Sequence, residues 1–551
     1  MQSRLWHRSY PPGMPVDAPI EDGLTLPAML ARSVARYPDH AAYGCLGATL
    51  SYRELDRLAT AFAAFLQSRG LRAGDHVALM LPNSLVYPIA MIGALRAGMA
   101  VVSVNPLYTA RELAHQLRDS GAKAIVTSEA VQPLLRQIAS ETMLQQAVVA
   151  SAADLLPSDS SWQPDSSAAP QDGATSFAAA LSQGDASRFV PPTIQASDIA
   201  FLQYTGGTTG VSKGAALSHA NMLAAVTEEL TWLRTIFKPG ETECITPLPL
   251  YHIYPLNIAL MLLAIGGTNR LVPNPRDMQQ LCGEMRRGPF AVLLGVNTLF
   301  NGMLASGVLN AADFAGTRSV FGAGASVQRA VAERWKAATG VAISEAYGLT
   351  ECSPVVTLNL PGGPDWNGSI GLPVPSTDVK LIDDKGATVP IGSPGELCVK
   401  GPQVFSGYWQ RPDETSKVFT ADGWFRTGDI ATMDDKGLLY IVDRLKDMIL
   451  VSGFNVYPNE IESVVAMMPS VLECACIGVP DERCGEVPHL YVVRRDSALD
   501  AAQITEHCRA NLTAYKVPRH ISFVDGLPKS PVGKILRREL RTEAKPVPAA
   551  S

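Results

Sequence analysis

Three short apolar runs constrain this chain most: HVALML at 76–81, MAVVSV at 99–104 and KAIVT at 123–127. Gly, Pro or Asn bounds them, and each is too short for a helix of its own. A strand that is apolar on both faces belongs inside a sheet covered on both sides, which is how parallel sheets with crossover helices are built. Helical signals fall between the runs. Ser51-Tyr52-Arg53-Glu54 reads as a capping box, followed by Leu55, Leu58, Ala59, Phe62, Phe65 and Leu66 at helical spacing and closed by Gly70. The expected fold class is α/β, with parallel-sheet αβα layers. At 551 residues, 47% hydrophobic and 18% charged, the chain can bury a large core and is not intrinsically disordered.

Two long uncharged stretches, 77–95 and 245–269, need weighing as membrane spans. The first contains Pro82, Asn83 and Pro88; the second contains Pro247, Pro249, His252 and Pro255. Such residues break the backbone bonding a spanning helix must keep, so each stretch reads as strand, turn and buried helix. The first fifteen residues hold Arg4, His7 and Arg8 but no apolar core of a secretory signal. Nine cysteines, odd in number, widely spaced and without a C-x-x-C pair, argue against a disulfide framework or a structural zinc site. The expected compartment is the cytoplasm; peripheral contact with the inner face of the membrane, and homodimer formation, are both left open. A net charge of −6 leaves no basic excess for a nucleic-acid backbone, so nucleic acid is excluded as a partner.

Residues 151–200, rich in Ser, Ala, Asp and Pro, read as a long, partly mobile surface excursion. From about 378 the pattern changes to β-hairpins (379–382, 396–400, 437–442), and a charged stretch, 443–447, precedes a smaller α+β unit. The expected division is a large domain at 1–443, a hinge at 444–447 and a small lid domain at 448–551.

The strongest local motif is Tyr204-Thr205-Gly206-Gly207-Thr208-Thr209-Gly210-Val211-Ser212-Lys213. Glycines let backbone N–H groups turn toward an anion, hydroxyls add donors, and Lys213 adds a point charge. It is not a Walker A loop, because Lys213 comes three residues after Gly210. Taken alone it could be a Gly/Thr-rich surface turn. Three further pieces follow in order: Tyr347-Gly348-Leu349-Thr350-Glu351, then Asp422-Gly423-Trp424 through Thr427-Gly428-Asp429 to Asp443-Arg444, then Pro528 through Gly533-Lys534.

With these pieces together, the sequence resembles the adenylate-forming superfamily of acyl-CoA synthetases, peptide-synthetase adenylation domains and firefly luciferase. The likeness runs from Leu50-Ser51-Tyr52 to Lys534, and is most like the bacterial long-chain fatty-acid–CoA ligases. The stretch 422–446 resembles the fatty-acyl-CoA synthetase signature; Phe425, Arg426 and Leu445 depart from it, as Ser212 departs from the usual phosphate-loop proline.

The resemblance implies a large adenylate-forming domain with a β-subdomain, a small mobile C-terminal domain, and ATP, Mg²⁺, coenzyme A and a fatty acid as cofactor and substrates. It implies that Tyr204–Lys213 closes on the β- and γ-phosphates and that Thr350 bonds the α-phosphate. Glu351 would hold Mg²⁺, an ion suited to hard oxygen ligands. Tyr347 and Gly348 would line adenine opposite the turn at Gly324, Asp429 would accept the ribose hydroxyls, and Arg444 would donate nearby. Lys534 would bridge the acyl carboxylate and the α-phosphate, with His252 beside that carboxylate. Lys446 would be the hinge, and Gly453 would leave room for the pantetheine arm. Each has a plainer reading: a solvated loop acid, a surface lysine beside Arg537 and Arg538, a core histidine, a turn glycine. The acyl tunnel is expected among 256–265 and 295–300, residues that would serve equally as core. The reading is an ATP-dependent fatty-acid–CoA ligase. Its alternatives are an acyl-AMP ligase serving a carrier protein, and a non-catalytic nucleotide-binding transport or scaffold component.

Overall fold

The computed structural model describes residues 4–156, 163–166, 173–205, 212–360, 365–452, 454–481, 483–530 and 533–543. The three apolar runs become the buried strands His76–Met80, Ala100–Ser103 and Ala124–Ser128. They pair in parallel, His76 opposite Ala100 and Ala78 opposite Ile125. Gln146–Ala150, Thr175–Ser176 and Ile199–Thr205 extend this sheet, and Lys213–Ser218 closes one edge antiparallel, giving seven strands among the described residues. A nine-stranded sheet lies alongside. Its parallel centre runs Ile343–Gly348, Ser319–Gly322, Val292–Gly295, Glu243–Thr246, Thr268–Leu271 and Ala41–Cys45.

The capping box forms: the Ser51 hydroxyl and amide both engage Glu54 at the start of helix Tyr52–Ser68. That helix crosses Val86–Arg96 closely, because a Cβ on Gly93 would lie 2.8 Å from the Phe62 ring and 2.9 Å from the Ala59 carbonyl. Both uncharged stretches resolve into strand, turn and buried helix, the second helix being Ile253–Ile265. Among the described residues no helix is long and apolar enough to cross a membrane.

One expectation needs correcting. The segment 151–200 is not simply a surface excursion: it supplies the edge strand Thr175–Ser176 and the helix Phe177–Gln183. Phe177 is fully buried, its ring 6.1 Å from that of Phe62. One large aromatic among Ser and Ala is enough to dock the segment on helix Tyr52–Ser68.

The hairpin region forms an antiparallel sheet of Asp378–Ile382, Gly395–Lys400, Phe425–Met433 and Leu439–Arg444. Beyond it, Ile449–Val451, Phe454–Val456, Val471–Asp481, Gly485–Arg494 and His520–Phe523 build a separate sheet with a core on each face. Helices Pro458–Val465 and Ala501–Asn511 cover one face through Ile461, Val465, Ile504 and Cys508. Leu527 and Leu540 cover the other. The fold is therefore a large N-terminal domain with parallel sheets and a small C-terminal α+β domain.

Candidate active site

Strand Ile343–Gly348 delivers Tyr347 to a carboxyl-terminal edge of the large sheet, followed by the turn Thr350–Cys352. Gly348 is required there, since a Cβ would lie 2.0 Å from the Pro354 carbonyl oxygen. Across from it, strand pairing sets Asp429 opposite Arg444. The Tyr347 hydroxyl donates to Asp429 Oδ2 at 2.6 Å, and Arg444 Nε lies 3.2 Å from Oδ1. Burial, then the Asp429 charge, pushes the Tyr347 hydroxyl well above its ordinary range, so it remains a donor. Each Asp429 oxygen has a further lone pair to offer.

Glu351 is buried, and its Oε1 accepts the Tyr408 hydroxyl at 2.7 Å. Burial raises its carboxyl above the usual range. Lys213 Nζ sits 5.3 Å from the centre of the Tyr408 ring and pairs with Glu414, itself bonded to Lys417 at 2.6 Å. Tyr408 thus joins the two side chains expected on the phosphates and their metal. Among the described residues no cluster of three or more His, Cys, Asp or Glu could hold a metal. One carboxylate suits Mg²⁺ that arrives on a triphosphate and keeps phosphate oxygens and waters as its other ligands. A cavity of about 300 Å³ opens beside this carboxylate, lined by Glu351, Tyr408, Lys417, Arg426, Thr427 and Gly428.

Lys534 enters from the small domain. Its loop is docked by Thr298 Oγ1, which donates to the Gly533 carbonyl at 3.0 Å, Gly533 having φ +81°. Lys534 itself is half-buried. Burial, Arg444, Lys446 and Arg537 lower its pKa to about 7, with Asp429 the opposing charge. His252 caps helix Ile253–Ile265, its Nδ1 accepting from the Tyr254 amide at 3.4 Å. Burial and the Lys534 charge lower the imidazole to about 4, so it is neutral at physiological pH.

Other expected residues fall differently. Thr205 ends its strand opposite Lys213, while Gly206, Gly207, Thr208, Thr209, Gly210 and Gly453 lie outside the described residues. The Tyr204 hydroxyl bonds Asp119 Oδ2 at 2.8 Å, and Arg411 holds the other oxygen at 2.5 Å, so this ring anchors the base of the loop. Gly324 takes φ +78° just past strand Ser319–Gly322. Tyr408, Glu414, Asp119 and Arg411 were not anticipated. The contacts that tie them to the site, with Glu351, Lys213 and Tyr204 and between Arg411 and Asp119, span 57 to 292 residues, and no local spacing announces them.

Two largely parallel sheets, a small C-terminal domain, and a carboxylate held by a tyrosine and an arginine at a strand pair together define an adenylate-forming enzyme. The chain belongs to the AMP-binding enzyme family: residues 30–409 match the AMP-binding enzyme domain, and 460–534 match its C-terminal domain. It is 48% identical over 562 residues to the long-chain-fatty-acid–CoA ligase of Escherichia coli O6:H1, covering 98% of each chain. Among solved structures, it is similar to ATP-bound MatB from Rhodopseudomonas palustris, with TM-score 0.84 and 30% identity over 94% of this chain and 99% of that one. It is also similar to the anthranilate CoA ligase AuaEII in complex with anthranoyl-AMP, with TM-score 0.86 and 26% identity over 95% and 98%.

Proposed function

We propose that this chain is an ATP-dependent ligase joining a medium- or long-chain fatty acid to coenzyme A through an acyl-AMP intermediate, releasing AMP and pyrophosphate. The observation that carries the reading is the set of side chains held at the sheet edge: Tyr347 and Arg444 on the Asp429 carboxylate, and Tyr408 between Glu351 and the Lys213 ammonium. A carboxylate attacking a triphosphate brings two anions together, and preorganised cations are what that step requires. Asp429 and Arg444 hold the ribose, and Tyr347 packs against adenine. Thr350 donates to the α-phosphate, and Lys213 leaves Glu414 for the outer phosphates. Mg²⁺, when bound at Glu351, neutralises phosphate charge. Neutral His252 orients the acyl carboxylate without adding a competing charge. Lys534 bridges carboxylate and α-phosphate oxygens as the O–P bond forms and pyrophosphate leaves. In the second step the small domain turns about Lys446, and the CoA thiol, entering past Gly453, displaces AMP. The helix Ile253–Ile265, apolar and buried, suits one wall of the acyl tunnel.

An assay with oleate, ATP and CoA tests the reading. CoA-dependent release of AMP supports a ligase. Pyrophosphate without thioester would make it an acyl-AMP ligase, and silence across chain lengths would leave a non-catalytic nucleotide binder. Because long acyl chains partition into lipid, we place the enzyme in the cytoplasm with peripheral contact at the inner membrane face; retention on lipid vesicles tests that.

Two variants probe the nucleotide. Asp429→Ala should raise the KM for ATP by an order of magnitude or more, since charge-assisted hydrogen bonds are each worth about 1.5–3 kcal/mol. An unchanged ATP dependence would put the ribose elsewhere. Tyr408→Phe keeps the ring under Lys213 but frees Glu351 to wander. About tenfold more Mg²⁺ should then be needed for half-maximal pyrophosphate exchange, from the same magnitude of bond. A wild-type Mg²⁺ titration would show that Glu351 needs no such support.

A further inference from the structure

The charged stretch at 443–447 holds more than a linker. Asp443 is the penultimate residue of the strand Leu439–Arg444, which is fixed to the large domain by pairing with Phe425–Met433. Its side chain is fully buried. One oxygen accepts the Arg444 amide at 2.7 Å; the other accepts the Asn459 amide at 2.9 Å. Asn459 lies in the first turn of helix Pro458–Val465, which belongs to the small-domain core, and Tyr457 before it offers no side-chain cap. The helix start is therefore satisfied by a carboxylate from the opposite side of the hinge, a favourable place for negative charge.

The contact continues to the catalytic lysine. Asn459 Oδ1 accepts Arg537 Nη2 at 2.6 Å, and Arg537 also pairs with Glu462 at 2.8 Å and Asp447 at 3.6 Å. Arg541 holds Asp447 at 3.0 Å. Arg537 stands three residues after Lys534 in sequence. Asp443, Asn459 and Arg537 thus form a continuous polar chain from the large domain to the base of the Lys534 loop.

We propose that Asp443 is a positioning residue that latches the small domain in the orientation placing Lys534 in the cleft. This rests on the two-step ligase reading, in which the domain turns about Lys446. Asp443 and Asn459 lie on opposite sides of that pivot, so rotation separates them, and the cap supports only the first half-reaction. Burial raises the Asp443 carboxyl to about 6, with Arg537 and the two amides opposing the rise. The cost of burying the charge offsets part of the cap.

The two half-reactions separate the latch from general stability. In Asp443→Asn, oleate-dependent ATP–pyrophosphate exchange should fall at least tenfold. Thioester formation from supplied oleoyl-AMP and CoA should stay at the wild-type rate or exceed it. Unchanged exchange, or equal loss in both half-reactions, overturns the proposal. Asp443→Ala should deepen the same asymmetry; if it fails to fold, the asparagine variant decides alone. If the wild-type chain performs neither half-reaction, the ligase reading fails, and the latch is read without chemistry. Energy transfer between labels at the exposed positions Arg111 and Arg509, in substrate-free protein, should change in Asp443→Asn. An unchanged distance distribution would then overturn it.

Discussion

Replacing Lys534 by alanine should lower fatty-acid-dependent ATP–pyrophosphate exchange by two to three orders of magnitude. Loss of one preorganised charge from a water-poor reaction site typically costs about 10²–10³ in rate. The same variant should still convert supplied acyl-AMP and CoA to thioester within about twofold, because in the proposed mechanism the loop carrying Lys534 leaves the cleft before that step. The lysine's pKa adds a test by pH. Its value near 7 means that the free enzyme loses the ammonium as pH rises through neutrality, so kcat/KM for exchange should decline above about pH 7. Bound ATP and carboxylate favour the charged form and raise this pKa, so kcat should hold to higher pH than kcat/KM. In Lys534→Ala the decline should vanish from the residual activity. Exchange at the wild-type level in the variant would remove Lys534 from the chemistry.

The features legible in the sequence are those whose cause is local. The capping box at Ser51 needs only residues three apart, and the strand His76–Met80 declares itself by being apolar on both faces. The juxtaposition of Tyr347 with Asp429 has a different origin. Each sits in a recognisable motif, yet their 2.6 Å hydrogen bond depends on two sheets meeting, which no spacing encodes. The strand Phe425–Met433 was hidden for a related reason: its Arg, Thr, Gly and Asp serve the site and blur the alternation a strand would show. Tyr408 illustrates the limit. It follows a glycine in an unremarkable turn, and only the folded chain brings its hydroxyl to Glu351 and its ring beneath Lys213. The charged stretch at 443–447 was legible only as a domain boundary and hinge, and four charges in five residues gave no sign that Asp443 and Asp447 are both buried. Charge density predicts exposure only when no countercharge is supplied from afar. Here Arg537 and Arg541 come from beyond residue 530.

That stretch also carries the largest expected effect on the second half-reaction. Lys446 lies between Asp443, held in the large domain, and Asp447, gripped by Arg537 and Arg541 of the small domain. A rigid turn of one domain against the other must be absorbed by backbone torsions in these few residues. Lys446→Pro fixes φ near −65° and restricts Leu445 before it, removing the freedom that the turn requires. Exchange should survive within a fewfold, because the orientation with Lys534 in the cleft is already reached. Thioester formation should fall at least a hundredfold, leaving acyl-AMP bound to the protein. Adding CoA to the isolated complex should not discharge it. A plugged CoA channel would give the same accumulation, so the acceptor's size separates the two causes. On the reading that Gly453 leaves room for the pantetheine arm, Gly453→Leu should still let a small thiol such as cysteamine reach the adenylate. Lys446→Pro should gain little from cysteamine, because the orientation that activates any thiol is never assembled. Rapid discharge by CoA in Lys446→Pro would show that the pivot lies elsewhere, and Asp443 would then have to latch a different motion.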